Sequence, residues 1–181
     1  MSERNIIREV LCSNPLIKFS VYTHIHSKIT IEAGDDVISL LDKMRAHTNS
    51  VADQISLDST IVNEAYGKFW MWTLAAYEIT RSMNECRLCF SSSVQSSVST
   101  YKYEIERLRM PFAKQMLKDQ PTIMNEGEAS IYSFRQGDDL IFKINEQEYS
   151  ARNLIWGFKD MIFSIKENDI LNKMETTVKR K

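Results

Sequence analysis

The stretch STIVNEAYGKFWMWTLAAYEITRSMNECRLCF, residues 59–90, decides the fold. Between Phe69 and Ile79 it has no clean polar face, and a helix that is apolar all round is typical of a buried one. No proline interrupts the stretch, and Asp58 or Ser59 can cap its start. The pattern therefore predicts the central helix of the fold, with its tryptophans in the core.

A second long helix is predicted over residues 92–118. The segment begins with a run of serines, but apolar residues recur through it at spacings of three and four, which is a heptad-like seam. The seam consists of Val94, Val98, Tyr101, Ile105, Leu108 and Phe112. A short join near residues 89–92 would pair the two helices as an antiparallel hairpin. Pro111 is expected to kink or break the second helix after Arg109.

The N-terminal region shows a different periodicity. Apolar residues occupy most odd positions of residues 16–31, and this alternation predicts a half-buried strand, bent or split near residues 23–27 because sixteen residues is long for one strand. A helix is the competing interpretation. Gly34 and the two aspartates after it predict a turn, and a helical stripe follows it. The stripe consists of Val37, Leu40, Leu41 and Met44.

The C-terminal region predicts a β-hairpin and a last helix. Alternating apolar residues flank the turn-like residues 136–139, which is typical of a hairpin. Ser150 can cap a helix whose apolar stripe ends at Ile165, and the basic tail over residues 167–181 is expected to be partly frayed. The fold class is therefore α+β and mainly α. A single domain over residues 1–181 is built on two long antiparallel helices with a small β-hairpin.

Composition argues against several function classes. There are 23 Lys and Arg residues against 24 Asp and Glu residues, which gives a net charge of −1. The chain therefore lacks the net positive charge that would hold it on nucleic acid or anionic lipid. The five glycines lack the spacing of dinucleotide-binding and P-loop motifs. No apolar run is long enough to span a membrane. Three cysteines, with no apolar leader segment, favour the cytoplasm.

No catalytic motif or complete ligand set is visible. Cys86 and Cys89 form a C-x-x-C near the end of an apolar helix, where the dipole raises the thiol pKa, so structural packing is favoured over metal or redox chemistry. His24 and His26 would share one face of the predicted strand, but no third ligand lies at short spacing. The sequence therefore predicts no metal site and no cofactor.

One polar cluster is predicted where the two long helices meet. Glu78 is the one acid embedded in the apolar helix, and Arg81 follows on the same face. At the Pro111 kink, Arg109 or Lys114 of the second helix would come close to this pair. Such a cluster is either a structural ion network or the polar floor of a pocket, and the structural network is favoured.

The two long helices, over residues 59–118, resemble the HEPN class of small helical bundles, which often serve in RNA cleavage, toxin–antitoxin pairs and phage defence. The catalytic motif of that class is an arginine followed four to six residues later by a histidine. No histidine follows Arg81, Arg107 or Arg109. The resemblance therefore implies a bundle without nuclease chemistry that acts by binding, and no catalytic residue is carried over.

Three functions are expected from these observations. The first is a non-enzymatic cytoplasmic interaction protein that binds another protein or itself. The second is a nucleic-acid-associated, catalytically degenerate HEPN-like protein that binds through Arg107, Arg109, Lys114 and the basic tail. Exposed aromatic residues that stack on bases would be a feature of this second function. The aromatic residues of the central helix have apolar neighbours, however, and this favours their packing in the core. The third is an enzyme that uses Glu78 or the two histidines.

Overall fold

The computed structural model describes residues 14–46, 49–51, 54–114, 131–134, 138–144 and 146–174. Its helices are Leu16–Phe19 (α1), Val21–Ala46 (α2), Ser59–Glu85 (α3), Ser92–Lys114 (α4) and Ala151–Ser164 (α5). Asn49–Val51 (β1) and Gln54–Ser56 (β2) pair antiparallel, and a second antiparallel sheet has the order β3-β4-β5. Its strands are Ser133–Phe134, Leu140–Ile144 and Gln147–Ser150. The prediction of an α+β, mainly α fold is confirmed.

Helix α3 is the central helix, as predicted. The side chain of Asp58 caps it by accepting a hydrogen bond from the main-chain nitrogen of Thr60 at 2.8 Å, which satisfies one of the unpaired donors of the first turn. It packs against both α2 and α4. Within the part of the chain that the structure describes, no helix has the length and apolarity to cross a membrane.

The two tryptophans of α3 lie in different environments. Trp72 is 1% exposed, with its ring 5.6 Å from that of Phe69 and 6.0 Å from that of Phe158. Trp70 is 38% exposed, and its indole nitrogen donates to the main-chain oxygen of Phe112 at 3.1 Å. The prediction that Trp70 lies in the core is therefore wrong. Residues two apart on a helix point about 160° away from each other, so only one of the pair reaches the core.

Helix α4 runs beside α3 and carries the predicted seam. Val94, Val98, Tyr101, Ile105 and Leu108 are buried, and Phe112 is half-buried. The helix continues through Pro111 to Lys114, so the break expected after Arg109 does not occur. A proline removes a single hydrogen bond to the preceding turn, and the packing of the seam on both sides of it keeps the helical path.

Residues 16–46 form helices α1 and α2, so the predicted strand and the predicted turn are wrong. The side of α2 that faces the core carries small residues at helical spacing, among them Thr23, Ser27 and Thr30. Four of the apolar residues at odd positions, those at 17, 21, 25 and 29, face outward instead and are 43–57% exposed, whereas Phe19 is buried and Ile31 is partly buried. The alternation was misleading because the apolar side chains here mark the exposed face.

The stripe at the C-terminal half of α2 was predicted correctly, and Val37, Leu40, Leu41 and Met44 are buried. Gly34, in contrast, lies inside the helix and not in a turn. A Cβ atom at this position would lie 2.8 Å from Cγ2 of Ile155 and 3.0 Å from Nε1 of Trp72. The absence of a side chain at Gly34 therefore lets α2 approach α3 and α5 closely.

The predicted cap of α5 is confirmed, because the Ser150 side chain accepts a hydrogen bond from the main-chain nitrogen of Asn153 at 3.0 Å. Ser150 also donates to the carboxylate of buried Asp139. The same carboxylate accepts the main-chain N–H of Arg152 at 3.0 Å. Asp139 thus joins the sheet to the first turn of α5.

Residues 167–174, which we call the C-terminal strap, lie across the connection between α3 and α4. The main-chain nitrogen of Ser91 donates to the oxygen of Asp169 at 2.8 Å, and that of Leu171 donates to the oxygen of Cys89 at 2.9 Å. The nitrogen of Met174 donates to the oxygen of Phe19 at 2.9 Å. The predicted fraying therefore does not apply to the strap, and residues 175–181 lie outside the described residues.

Two glycine substitutions test the close approach of α2. Gly34→Ala should lower the free energy of unfolding by roughly 1–2 kcal/mol, because the new methyl group overpacks the contact with Ile155 and Trp72. Gly67→Ala is the matched control in α3, where a Cβ atom has nothing within 4 Å, and it should stabilise by up to about 1 kcal/mol. Urea unfolding measures both, and equal stability of the two variants would contradict the packing described.

Candidate functional site

A groove of about 330 Å³ lies between α2 and α3. Thr23 and Thr30 of α2 line it and are themselves buried, so its lining is partly polar. His26 lies at the groove as well, and so do Glu78 and Arg81 of α3. The structure thus brings two residues of the predicted polar cluster next to a histidine that the sequence placed on a strand.

Glu78 lies at the surface and not in the core. Arg81 donates to one oxygen of Glu78 from Nε at 2.9 Å and from Nη2 at 2.7 Å, and to Glu85 from Nη1 at 2.5 Å. The side chains of Glu78 and Arg81 are 52% and 40% exposed. The prediction that Glu78 is embedded in the apolar core is therefore wrong, whereas the prediction that it pairs with Arg81 is correct. Part of the α3 surface between α2 and α4 stays open to solvent, and Glu78 lies there.

The charges at the groove do not favour an anion. Hydrogen bonding to Glu78 raises the pKa of Arg81, which keeps the guanidinium charged, but two carboxylates share that one cation. Because Arg81 already donates to both, it has little capacity left for a phosphate group. The groove therefore suits an apolar or hydroxyl-bearing side chain better than an anionic ligand.

Arg109 does not reach Glu78. Its guanidinium lies over the ring of Tyr77, 4.9 Å from the ring centroid. The Tyr77 hydroxyl donates to Glu106 at 3.2 Å, and Lys102 lies 3.2 Å from the other oxygen of that carboxylate. Burial first, and then the nearby charge of Glu106, raise the pKa of Tyr77. The polar contact between α3 and α4 is therefore centred on Tyr77 and Glu106, which the sequence did not single out.

The predicted nucleic-acid-binding residues do not gather at one place. Arg107 donates to the side-chain oxygen of Gln147 at 3.1 Å and to the hydroxyl of Tyr103, whereas Arg109 lies over Tyr77. The two arginines therefore have separate partners, one in the sheet and one in α3. The side chain of Lys114 lies outside the described residues.

The predicted metal and redox candidates have structural surroundings. His24 and His26 lie on a helix, where they point about 160° apart, so the prediction that they share a face is wrong. His26 packs against Tyr22, with ring centroids 3.9 Å apart. Cys86 ends α3 and Cys89 lies in the following 3₁₀ turn, and burial raises the pKa of the Cys86 thiol. Among the described residues, no three His, Cys, Asp or Glu side chains are placed to hold a metal ion.

An exposed apolar stripe runs along α2 beside the groove. It consists of Val21, Tyr22, Ile25 and Ile29, which we call the α2 stripe. Tyr22 is 72% exposed and the other three are about half exposed. Their spacing of three and four places them on one helical face, and Tyr22 also lines the groove. The sequence contains this signal, because Val21, Ile25 and Ile29 recur every four residues, a spacing that fits one face of a helix as well as one face of a strand.

The chain was compared with protein-family models, with curated protein sequences and with solved structures, and none of them matches it. The surface chemistry of the α2 stripe and the groove is therefore what indicates function. A large, contiguous apolar surface on a protein often marks a binding site.

Two Glu→Gln substitutions test which carboxylate, that of Glu78 or that of Glu106, contributes more to the free energy of unfolding. Glu78→Gln should cost less than about 1 kcal/mol of unfolding free energy, because its ion pair is exposed to solvent. Glu106→Gln should cost roughly 1–3 kcal/mol, because it weakens the less exposed contact with Lys102 and Tyr77. Urea unfolding of both variants gives the order, and a larger loss for Glu78→Gln would restore the embedded-acid interpretation.

We expect His24 to make the stability of the fold depend on pH. Its Nδ1 atom is buried without a hydrogen-bond partner among the described residues, and burial, followed by the charge of Lys28, lowers its pKa from 6.5. The folded chain then binds the proton less readily than the unfolded chain does. The contribution of neutral His24 to the free energy of unfolding is fully present above pH 6.5, the pKa of the unfolded chain. It is lost as the pH falls through the lower pKa of the folded chain. Urea unfolding at about pH 7.5 to 5 should show a smaller decline in His24→Gln than in the unmodified chain, and identical declines would contradict the assignment.

Proposed function

We propose that the protein is a non-enzymatic interaction protein of the cytoplasm, and that it docks on another protein surface through the α2 stripe and the adjoining groove. The observation that carries the proposal is the outward orientation of Val21, Tyr22, Ile25 and Ile29 on one helix. Apolar side chains on a helix surface lose contact with water when a partner covers them, and this burial favours association.

The surroundings of the stripe support a protein partner. Tyr22 is an aromatic side chain with a polar end, which is a residue type enriched where binding energy concentrates. It belongs to the stripe and also lines the groove, so a partner that covers the stripe also reaches the groove. The ion pairs of Arg81 with Glu78 and Glu85 then form a polar rim beside the apolar contact.

The alternative proposal is a nucleic-acid-associated, catalytically degenerate HEPN-like protein. It requires Arg107, Arg109 and Lys114 to act together on a phosphate backbone. Because Arg107 and Arg109 lie against different partners, this proposal has less support from the described residues than the docking of a protein does. The resemblance of α3 and α4 to HEPN bundles belongs to this alternative.

The test compares three tagged full-length baits in lysate from the native cell: the unmodified chain, Ile25→Glu and Phe163→Glu. Ile25→Glu places a charge at the centre of the stripe, and Phe163→Glu is the matched control because Phe163 on α5 is exposed to a similar extent. We expect Ile25→Glu alone to lose a specific set of captured proteins, with at least a tenfold loss of affinity when one purified partner is titrated by calorimetry.

Two results would contradict the proposal. One is the same captured set for all three baits, which would leave the stripe without a role. The other is the capture of RNA or DNA whose affinity falls steeply with salt and is insensitive to Ile25→Glu, since that dependence is typical of phosphate contacts. The second result would favour the alternative proposal.

A further inference from the structure

We infer that the partner segment that docks on the α2 stripe is an amphipathic helix with an apolar centre and a basic residue near each end. The inference rests on the proposed function, because it uses the same surface and specifies the class of its occupant. It is carried by the neighbouring surface of α3, which continues the stripe across the groove, and by the charges at the two ends of that surface.

Helix α3 has an exposed ridge on the side of the groove. Its members recur at spacings of four and three residues, so they share one helical face. The α3 ridge consists of Glu64, Lys68, Met71, Ala75, Glu78 and Ser82. Ser82 is half-buried and the other five are exposed. The middle of the ridge is apolar, because Met71 is 59% exposed and Ala75 lines the groove.

The α2 stripe and the α3 ridge form the two sides of a trough, with the groove on its floor. The two helices run antiparallel, because the groove joins Tyr22 of α2 to Ser82 of α3. Further along α2, the carboxylate of Asp36 lies 3.8 Å from the ammonium group of Lys68, which comes earlier in α3. The apolar parts of the stripe and of the ridge therefore lie between these two points.

A trough between two helices fits a third helix better than an extended segment. The main-chain groups inside α2 and α3 are already paired within their own helices, so they offer an extended segment no hydrogen bonds. A helix pairs its own main chain and places apolar side chains at spacings of three and four in a groove of this kind. The occupant is therefore expected to be helical.

One end of the trough has an excess of negative charge at Arg81. Its guanidinium forms ion pairs with Glu78 at 2.7 Å and with Glu85 at 2.5 Å, so two carboxylates share one cation. Both glutamate side chains are more than half exposed, so they can also contact a cation from outside. A basic residue of the partner at this end would balance the charge.

The other end repeats this arrangement at Lys68. Its ammonium group lies 3.3 Å from Glu64 and 3.8 Å from Asp36, and both of these side chains are more than half exposed. Glu32 adds no such excess, because Lys28 of its own helix lies 3.8 Å from it. The trough therefore has an apolar centre between two acidic ends, and a partner that matches it is apolar in the middle and basic at both ends.

The distance between the two ends sets the spacing of the basic residues. Lys68 and Arg81 are 13 residues apart on α3 (81 minus 68), a rise of about 20 Å. A partner helix along the trough then needs basic residues about 14 residues apart. One face of a helix of this length contacts less than the roughly 800 Å² per partner of a standard interface, so we expect a dissociation constant on the order of 10–100 μM.

Three fluorescent synthetic peptides test the class of the occupant by fluorescence anisotropy against the full chain. The basic-ended peptide has about 18 residues, with leucines at spacings of three and four in its middle and a lysine near each end, about 14 residues apart. The acid-ended peptide has glutamate in place of both lysines. The scrambled peptide keeps the lysines but distributes the leucines around the helix.

The basic-ended peptide should bind the unmodified chain at least fivefold more tightly than the acid-ended peptide and at least tenfold more tightly than the scrambled peptide. Ile25→Glu in the stripe and Met71→Glu in the ridge should each weaken its binding at least tenfold, because each places a carboxylate in the apolar centre. Phe163→Glu, at an exposed apolar position of α5, is the control and should leave the binding unchanged.

Charge reversal tests the two ends directly. The double variant Glu64→Lys, Glu78→Lys should reverse the preference and bind the acid-ended peptide more tightly than the basic-ended peptide. The matched control is Glu104→Lys, Asp160→Lys, because both residues are exposed and line a separate groove between α4 and α5. It should keep the preference of the unmodified chain. Circular dichroism and melting temperature show that each variant is folded.

Several results would overturn the inference. They are equal binding of any two of the three peptides to the unmodified chain, an unchanged preference in the Glu64→Lys, Glu78→Lys variant, and no binding of the basic-ended peptide at about 1 mM. If Ile25→Glu nevertheless loses a captured protein from lysate, the proposed function stands and only the class of its partner is wrong. If Ile25→Glu changes neither the captured proteins nor the binding of the peptide, both fall.

Discussion

Helix α2 packs on α3 across a row of small side chains, and Gly34 sets how close the two helices come. At that point the ring of Trp72 and the side chain of Ile155 occupy the space that a Cβ atom would need. The same ring packs against Phe69 and Phe158, so the contact joins α2, α3 and α5 in one core. Because small residues occupy the inward face there, Val21, Ile25 and Ile29 lie on the surface instead.

The sequence predicted the elements whose apolar residues face the core. The central helix, the seam of α4, the C-terminal half of α2 and the apolar stripe of α5 follow this rule, because most of their large apolar side chains are buried. The first half of α2 could not be predicted in the same way. Thr23, Ser27 and Thr30 are buried through close helix packing, and this depends on a neighbouring helix that periodicity does not reveal.

The candidate site was predicted in part. Glu78 and Arg81 pair as expected, but their exposure depends on how far α2 and α4 cover α3, which is a property of the assembled bundle. Strand β5 was missed for a related reason. Its sequence QEYS carries one large apolar side chain, and it becomes a strand through its ladder with β4.

The C-terminal strap ties together two distant parts of the chain. The main-chain bond from Met174 to Phe19 joins positions 155 residues apart (174 minus 19), and the strap also pairs with the turn between α3 and α4. Contacts of such long sequence separation form late, because their loop must close first. On the ribosome, α1 thus stays without this anchor until Met174 has emerged, and the α3–α4 pair can fold well before it.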